Sequence, residues 1–197
     1  MYNKIFSVFV FVLVVSMGLV IAQYGADSIE QENQVTVSAG AQGVQDGVKI
    51  NSKGEEISVQ SQENNKVRLE AQGISANFNG EMNEISEGNK TKLYARMSNG
   101  QNVEIKIMPD TASETALERL RLKNCIAEEG CLIELKEVGN GDDTRLAYEI
   151  QIERHSRILG IFQKKMQIRT QVDAENGEII DVNKPWWAFI ATEPAEE

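Results

Sequence analysis

The chain has 197 residues, 41% of them apolar, with 30 acidic and 20 basic side chains and a net charge of −10. That length suits one domain or two small ones, and the apolar share is adequate for a core. The negative balance argues against a general nucleic-acid binder, because contact with phosphates needs a basic face.

Residues 1–22, MYNKIFSVFVFVLVVSMGLVIA, carry one lysine and then an apolar run from about Ile5 to Ala22. A basic start, an apolar middle and a small-residue end are the layout of a secretory signal. The run also reaches the lower length limit for crossing a bilayer. The segment therefore reads as a signal peptide cleaved before Gln23 or as an uncleaved N-terminal membrane anchor, with a buried core helix as the remaining alternative. Both leading readings export the body of the protein, either secreted or tethered to the outer face of the cytoplasmic membrane. Residues 23–33 are polar and aperiodic, as a linker is.

From 34 to 108 the chain is a series of short alternating runs: VTV, VKI, EISVQ, KVRLEA, ISANF, KLYARM and VEIKI. Gly, Asn, Asp and Ser punctuate them, which predicts a β-rich segment, an antiparallel meander or small sandwich. The clearest hairpin is KLYARM-SNGQ-NVEIKI, where Asn99-Gly100 suits a type I′ turn. Asn89-Lys90-Thr91 is a lone glycosylation sequon.

Pro109 closes that region, and TASETALERLRL follows as the one strong helix of the mature chain. Thr111 and Glu114 fit a capping box. Ala112, Ala116, Leu117, Leu120 and Leu122 form its apolar side. Four strands are expected next: CLIELKEV, RLAYEIQIERHS, KKMQIRTQVDA and GEIIDV. Asn176-Gly177 turns the third into the fourth. The fold class is thus α+β, a β-rich N-terminal segment followed by one helix packed on a four-stranded antiparallel sheet over 109–183. Residues 184–197 remain as an aromatic cap and an acidic tail.

Cys125 and Cys131 have five residues between them. In an oxidising compartment such a pair forms a disulfide, here pinning the helix exit to the start of a strand. Free thiols and a redox or metal pair are the alternatives. Redox pairs usually have two intervening residues, and a metal needs more ligands than the single histidine, His155, provides.

No catalytic, cofactor or metal site is expected. His155 has Ser156 beside it and Glu153 nearby, but neighbours on a strand point to opposite faces, so a nucleophile–base pair does not form. Glu128-Glu129 and Asp142-Asp143 lie in turn-like sequence. No glycine-rich phosphate loop precedes a helix.

Two stretches stand out as contact candidates. RHSRILGIFQKK (154–165) interleaves Arg154, Arg157, Lys164 and Lys165 with Ile158, Leu159, Ile161 and Phe162. Its apolar tip folds onto its own core, grips an acidic partner, or touches an anionic membrane. KPWWAFIATEPAEE follows Pro185, which stops the last strand. Trp186, Trp187 and Phe189 either cover the end of the sheet, dock a partner, or sit at a membrane interface.

A helix followed by Ala147-Tyr148-Glu149-Ile150 and then Asp173-Ala174-Glu175-Asn176-Gly177-Glu178-Ile179 resembles the PepSY domain, over about residues 109–183. The apolar 155–163 stretch and the cysteine pair depart from that pattern. The resemblance implies a helix on an antiparallel sheet and a non-enzymatic binding or regulatory role, such as restraint of an exported peptidase. A cell-envelope protein using the 154–165 loop and Trp186-Trp187 against a membrane surface is the alternative.

Overall fold

The structure is a computed structural model and describes residues 42–122, 125, 130–159 and 161–192. All of these lie within one compact unit, residues 34–197. The expected export segment, the linker, the VTV run, Glu128-Glu129 and the last residues of the acidic tail fall outside the described residues.

Strand-forming sequence dominates. β1 (Gln42–Gly43), β2 (Gly47–Ile50), β3 (Glu56–Gln62), β4 (Lys66–Ala71) and β5 (Ile74–Asn79) come first. β6 (Met82–Glu87), β7 (Lys90–Arg96) and β8 (Asn102–Glu104) follow, then the helix α1 (Pro109–Leu120). β9 (Cys131–Val138), β10 (Arg145–Ile158), β11 (Phe162–Asp173), β12 (Ile179–Asn183) and β13 (Ala191–Thr192) complete the set. β6 carries the alternation Met82, Glu84 buried against half-buried Asn83 and Ile85, a strand that the polar MNEISE sequence disguises.

The chain after the helix makes the four antiparallel strands expected of it, but they are half of a larger sheet. Its path is β12-β11-β10-β9-β5-β4-β3-β2, eight strands rather than four. The two meanders meet where β5 runs parallel to β9, pairing Asn77 with Glu134 and Phe78 with Leu135. A bare β9 edge would leave backbone N–H and C=O groups open, and β5 covers it. β1, β6, β7 and β8 form a second sheet.

One face of the large sheet is apolar along every long strand: Ile57 and Val59, Val67 and Leu69, Ala76 and Phe78, Ile133 and Leu135, Tyr148 and Ile150, Ile168 and Val172 are all buried. These join Met82, Leu93 and Ala95 of the second sheet and Ala112, Ala116 and Leu120 of α1 in one core cluster. The β-rich segment and the α+β segment therefore share a core. Each fully buried Leu or Ile there contributes about 1.5–3 kcal/mol.

The helix differs in detail from the capping-box expectation. It begins at Pro109, with Met108 as N-cap and no side-chain cap bond. Proline has no N–H to satisfy and its fixed φ suits the first helical position, so it displaces Thr111 into the first turn. There Thr111 offers its carbonyl to the Thr115 hydroxyl, 2.9 Å away. The strap into the helix is fastened to the sheet: the Lys106 and Ile107 N–H groups both donate to the Ala174 carbonyl, at 3.0 Å. The Tyr148 hydroxyl donates to the Ile107 carbonyl at 2.8 Å.

The two Asn-Gly turns are not type I′. Gly100 and Gly177 have φ of 86° and 78°, while neither asparagine has positive φ. At the first, Gly100 N–H donates to the Met97 carbonyl and Met97 N–H to the Gln101 carbonyl, a turn closed by a glycine bulge. At the second, the Asp173 carboxylate accepts from the Glu175 and Asn176 N–H groups at 2.8 and 3.2 Å. Cys125 and Cys131 are bonded, with Cα atoms 5.3 Å apart, which ties the chain after α1 to the first residue of β9.

Candidate functional site

The β10–β11 hairpin is the longest among the described residues, paired continuously from Ala147–Asp173 out to Ile158–Phe162. It outruns β9, whose pairing with β10 stops at Ile152. Strand alternation sets what the overhang presents. Residues opposite one another share a face, so Arg154, Ser156, Ile158, Phe162, Lys164 and Met166 continue the core face beyond the end of α1. His155, Arg157, Gln163 and Lys165 lie on the other face.

The stretch expected to be a loop at 155–163 is therefore mostly strand, with β10 reaching Ile158 and β11 beginning at Phe162. Leu159 has φ of 52°, a left-handed conformation that a branched side chain adopts only where the surrounding pairing enforces it. Alternating β-compatible residues (Arg157, Ile158, Phe162, Gln163) let the ladder run to the tip.

The C-terminal segment folds back across this overhang. β12 ends before Pro185, residues Trp186–Ile190 make a short 3₁₀ turn, and β13 pairs with β10, Thr192 opposite Arg157 and Ala191 opposite Ile158. Leu159 N–H donates to the Ile190 carbonyl. The two sequence candidates, 154–165 and 184–192, thus meet at one end of the sheet.

There the aromatic residues divide the work. Trp187 is buried and belongs to the core, with the Lys164 ammonium 5.0 Å from its ring centroid. Trp186 and Phe189 are 78% and 80% exposed. Leu159, Ile161 and Phe162 are exposed as well, at 68%, 75% and 66%. The hairpin tip consequently does not fold onto its own core; only Ile158 packs against it. Between the hairpin's core face, the 3₁₀ turn and the end of α1 lies a cleft of about 410 Å³, lined by Leu120, Arg154, Ser156, Lys184, Trp186 and Phe189 among others. Ser156 is 1% exposed, and its Oγ has no hydrogen-bond partner.

Cations gather at this end of the sheet: Arg154, Arg157, Lys164 and Lys165 on the hairpin, and Lys184 in the lining of the cleft. Lys165 pairs with Glu153, and that hydrogen bond holds the Glu153 carboxyl below its ordinary range. His155 is exposed opposite Lys165, while Ser156 is buried on the far face, so the two do not meet. Asp143 is exposed beside Asp142 in a 3₁₀ turn, and Asn89 is exposed in the β6–β7 turn. Among the described residues no group of three or more His, Cys, Asp or Glu is placed to hold a metal ion.

Arg157, Leu159, Phe162, Lys164 and Trp186 were legible in the sequence as candidates for contact. Lys184, Ser156 and the closure by Ala191 and Thr192 were not, because nothing local in ATEP announces a strand that pairs across the tip. Among the described residues no helix is long and apolar enough to cross a membrane. The disulfide fits an oxidising environment.

No family model matches this chain, and comparison with curated proteins and with solved structures gave no match either.

Proposed function

We propose that this is an exported, non-catalytic binding protein that contacts an anionic membrane surface through the free end of its large sheet. One observation carries the reading: five large apolar side chains, Leu159, Ile161, Phe162, Trp186 and Phe189, stand 66–80% exposed at one end, bordered by cations in a protein of net charge −10. Scattered exposed apolar residues need no explanation, but a cluster does. The cluster sits on a protruding hairpin tip and turn, a shape suited to dipping into a lipid interface. Trp and Phe favour that interface, and each neighbouring cation contributes about 1 kcal/mol near an anionic surface. The apolar run at 5–22, read as a signal or anchor, supports delivery to the same setting.

The test is sedimentation of residues 34–197 with phosphatidylglycerol vesicles and with neutral phosphatidylcholine vesicles. The reading expects salt-sensitive binding to the first and little to the second. It expects loss of binding on Phe162→Ser with Trp186→Ser, and on Arg157→Glu with Lys164→Glu. Equal binding by those variants overturns it.

A second reading, restraint of an exported peptidase, is supported by the PepSY-like residues 147–150 and 173–179. A stable complex that slows a peptidase and is indifferent to the tip substitutions favours this second reading.

A further inference from the structure

The chain leaves β12 at Asn183, which pairs with Arg169, so Lys184 comes level with Ile168 on the neighbouring strand. On the other side of β11, Arg154 pairs with Met166. Met166 and Ile168 are buried on the core face, and strand alternation puts Arg154 on that face as well. Two cations thus flank the same two apolar positions of β11 from opposite sides. Both line the cleft of about 410 Å³.

Most of the remaining lining is apolar. Leu120 and Met166 are buried at its base, and the exposed rings of Trp186 and Phe189 stand at its side. Ser156 lies deeper, its Oγ sealed from solvent. Among the described residues no acid lines the cleft. Other lysines of this acidic protein meet a carboxylate: Lys49, Lys92, Lys106, Lys136 and Lys165 each lie within ion-pair distance of one. Lys184 has no such partner among the described residues. Arg154 does have a partner, and a guanidinium has enough N–H donors to serve a second.

We propose that this cleft holds one anionic phospholipid, its phosphate at Lys184 and Arg154 and the start of its acyl chains against Trp186 and Phe189. The site rests on the membrane reading for its ligand class. Trp186 and Phe189 belong both to the exposed apolar cluster and to the cleft, so a lipid met by the cluster lies beside the two cations. A phosphate there meets positive charge with no acid in the lining to compete for it, and the arginine offers paired donors to its oxygens. The volume falls within the range of about 300–1,000 Å³ usual for small-molecule sites. A zwitterionic headgroup carries a cation of its own, which Lys184 and Arg154 repel. The protein then selects a headgroup rather than responding to surface charge alone.

The experiment is an NMR titration of residues 34–197, the compact unit that carries the core, with dihexanoyl phosphatidylglycerol kept monomeric. Dihexanoyl phosphatidylcholine and glycerol phosphate are the comparison ligands. The first has no net charge, and the second has a phosphate without acyl chains. The proposal expects saturable one-to-one shifts of the Ser156, Lys184 and Ala188 amides with the anionic lipid, and binding weaker by about tenfold or more for both comparisons. Lys184→Glu, at an exposed position outside the strands, should weaken lipid binding by about tenfold or more. Phe189→Ser removes only an exposed ring and should weaken it as well. Lys66→Glu, the same charge change on β4, should leave it unchanged. Equal binding of phosphatidylcholine, equal binding of glycerol phosphate, or equal weakening by Lys66→Glu overturns the proposal. Absence of saturable shifts overturns it too, and if the same protein still sediments with phosphatidylglycerol vesicles the membrane reading stands without it. Saturable binding of the monomeric lipid by a protein that ignores the vesicles supports the cleft and overturns the membrane reading instead.

Discussion

The Lys164 ammonium lies 5.0 Å from the centroid of the Trp187 ring, so a cation on the hairpin stands over the indole that seals the C-terminal turn. The two residues are 23 positions apart in sequence, and this contact fastens both halves of the candidate site to one another. Trp187 and its neighbour Trp186 therefore do opposite things. Trp187→Ala empties a core position and is expected to cost about 3–5 kcal/mol. Trp186→Ala removes an exposed ring and is expected to stay within about 0.5 kcal/mol. Urea unfolding of the two variants checks this; equal losses would mean that the turn is not seated as described.

Tyr148 is fully buried and donates to the Ile107 carbonyl, linking β10 to the strap that leads into α1. Burial first, and the nearby Asp110 charge second, push its phenol well above the ordinary range. Tyr148→Phe keeps the ring but leaves that carbonyl without its donor, so a loss of about 1–3 kcal/mol is expected in chemical denaturation. Ultraviolet titration should show this phenol still protonated where exposed tyrosines have ionised.

Thr170 poses the reverse case. It is 0% exposed between Ile150 and Val182, and its Oγ1 has no hydrogen-bond partner. Valine has the same branched shape without the hydroxyl. Thr170→Val is therefore expected to stabilise the fold by about 1 kcal/mol. A lower unfolding midpoint in the variant would count against the unpaired hydroxyl.

Acid should weaken the protein through Glu149. Burial works against its charge, but hydrogen bonds from Lys136 at 2.8 Å and Gln171 at 3.1 Å outweigh it and hold the carboxyl below its ordinary value of 4.5. A carboxylate depressed in the folded state contributes stability above its unfolded pKa, and that contribution disappears as pH falls through the folded pKa. Stability is expected to drop on acidification from pH 4.5 downward, and Glu149→Gln to flatten that slope. Melting curves across that range, with an unchanged slope in the variant, would refute the assignment.

Much of this fold was legible because alternation is a local signal. The pattern Leu146, Tyr148, Ile150, Ile152 placed β10, and Ala112, Ala116, Leu120 placed the inner side of α1. What escaped was non-local. Asn77 and Phe78 pair with Glu134 and Leu135 across more than fifty residues, and neither partner carries a mark of the other. That one parallel contact turned an expected four-stranded module into an eight-stranded sheet. The site shows the same division: the apolar and basic residues of 154–165 announced themselves, while the meeting of that tip with Trp186 and Phe189 depended on β13 crossing to β10.

The central claim is that the free end of the sheet enters a lipid interface, and Trp186 can report on it directly. Trp187→Phe retains an aromatic seal and leaves Trp186 as the only tryptophan. Its emission would be recorded for residues 34–197 with phosphatidylglycerol vesicles, with and without brominated acyl chains. The account predicts a shift to shorter wavelength and quenching by the brominated lipid, both lost at high salt. Emission that stays at the solvent-exposed wavelength in the presence of saturating vesicles would contradict it.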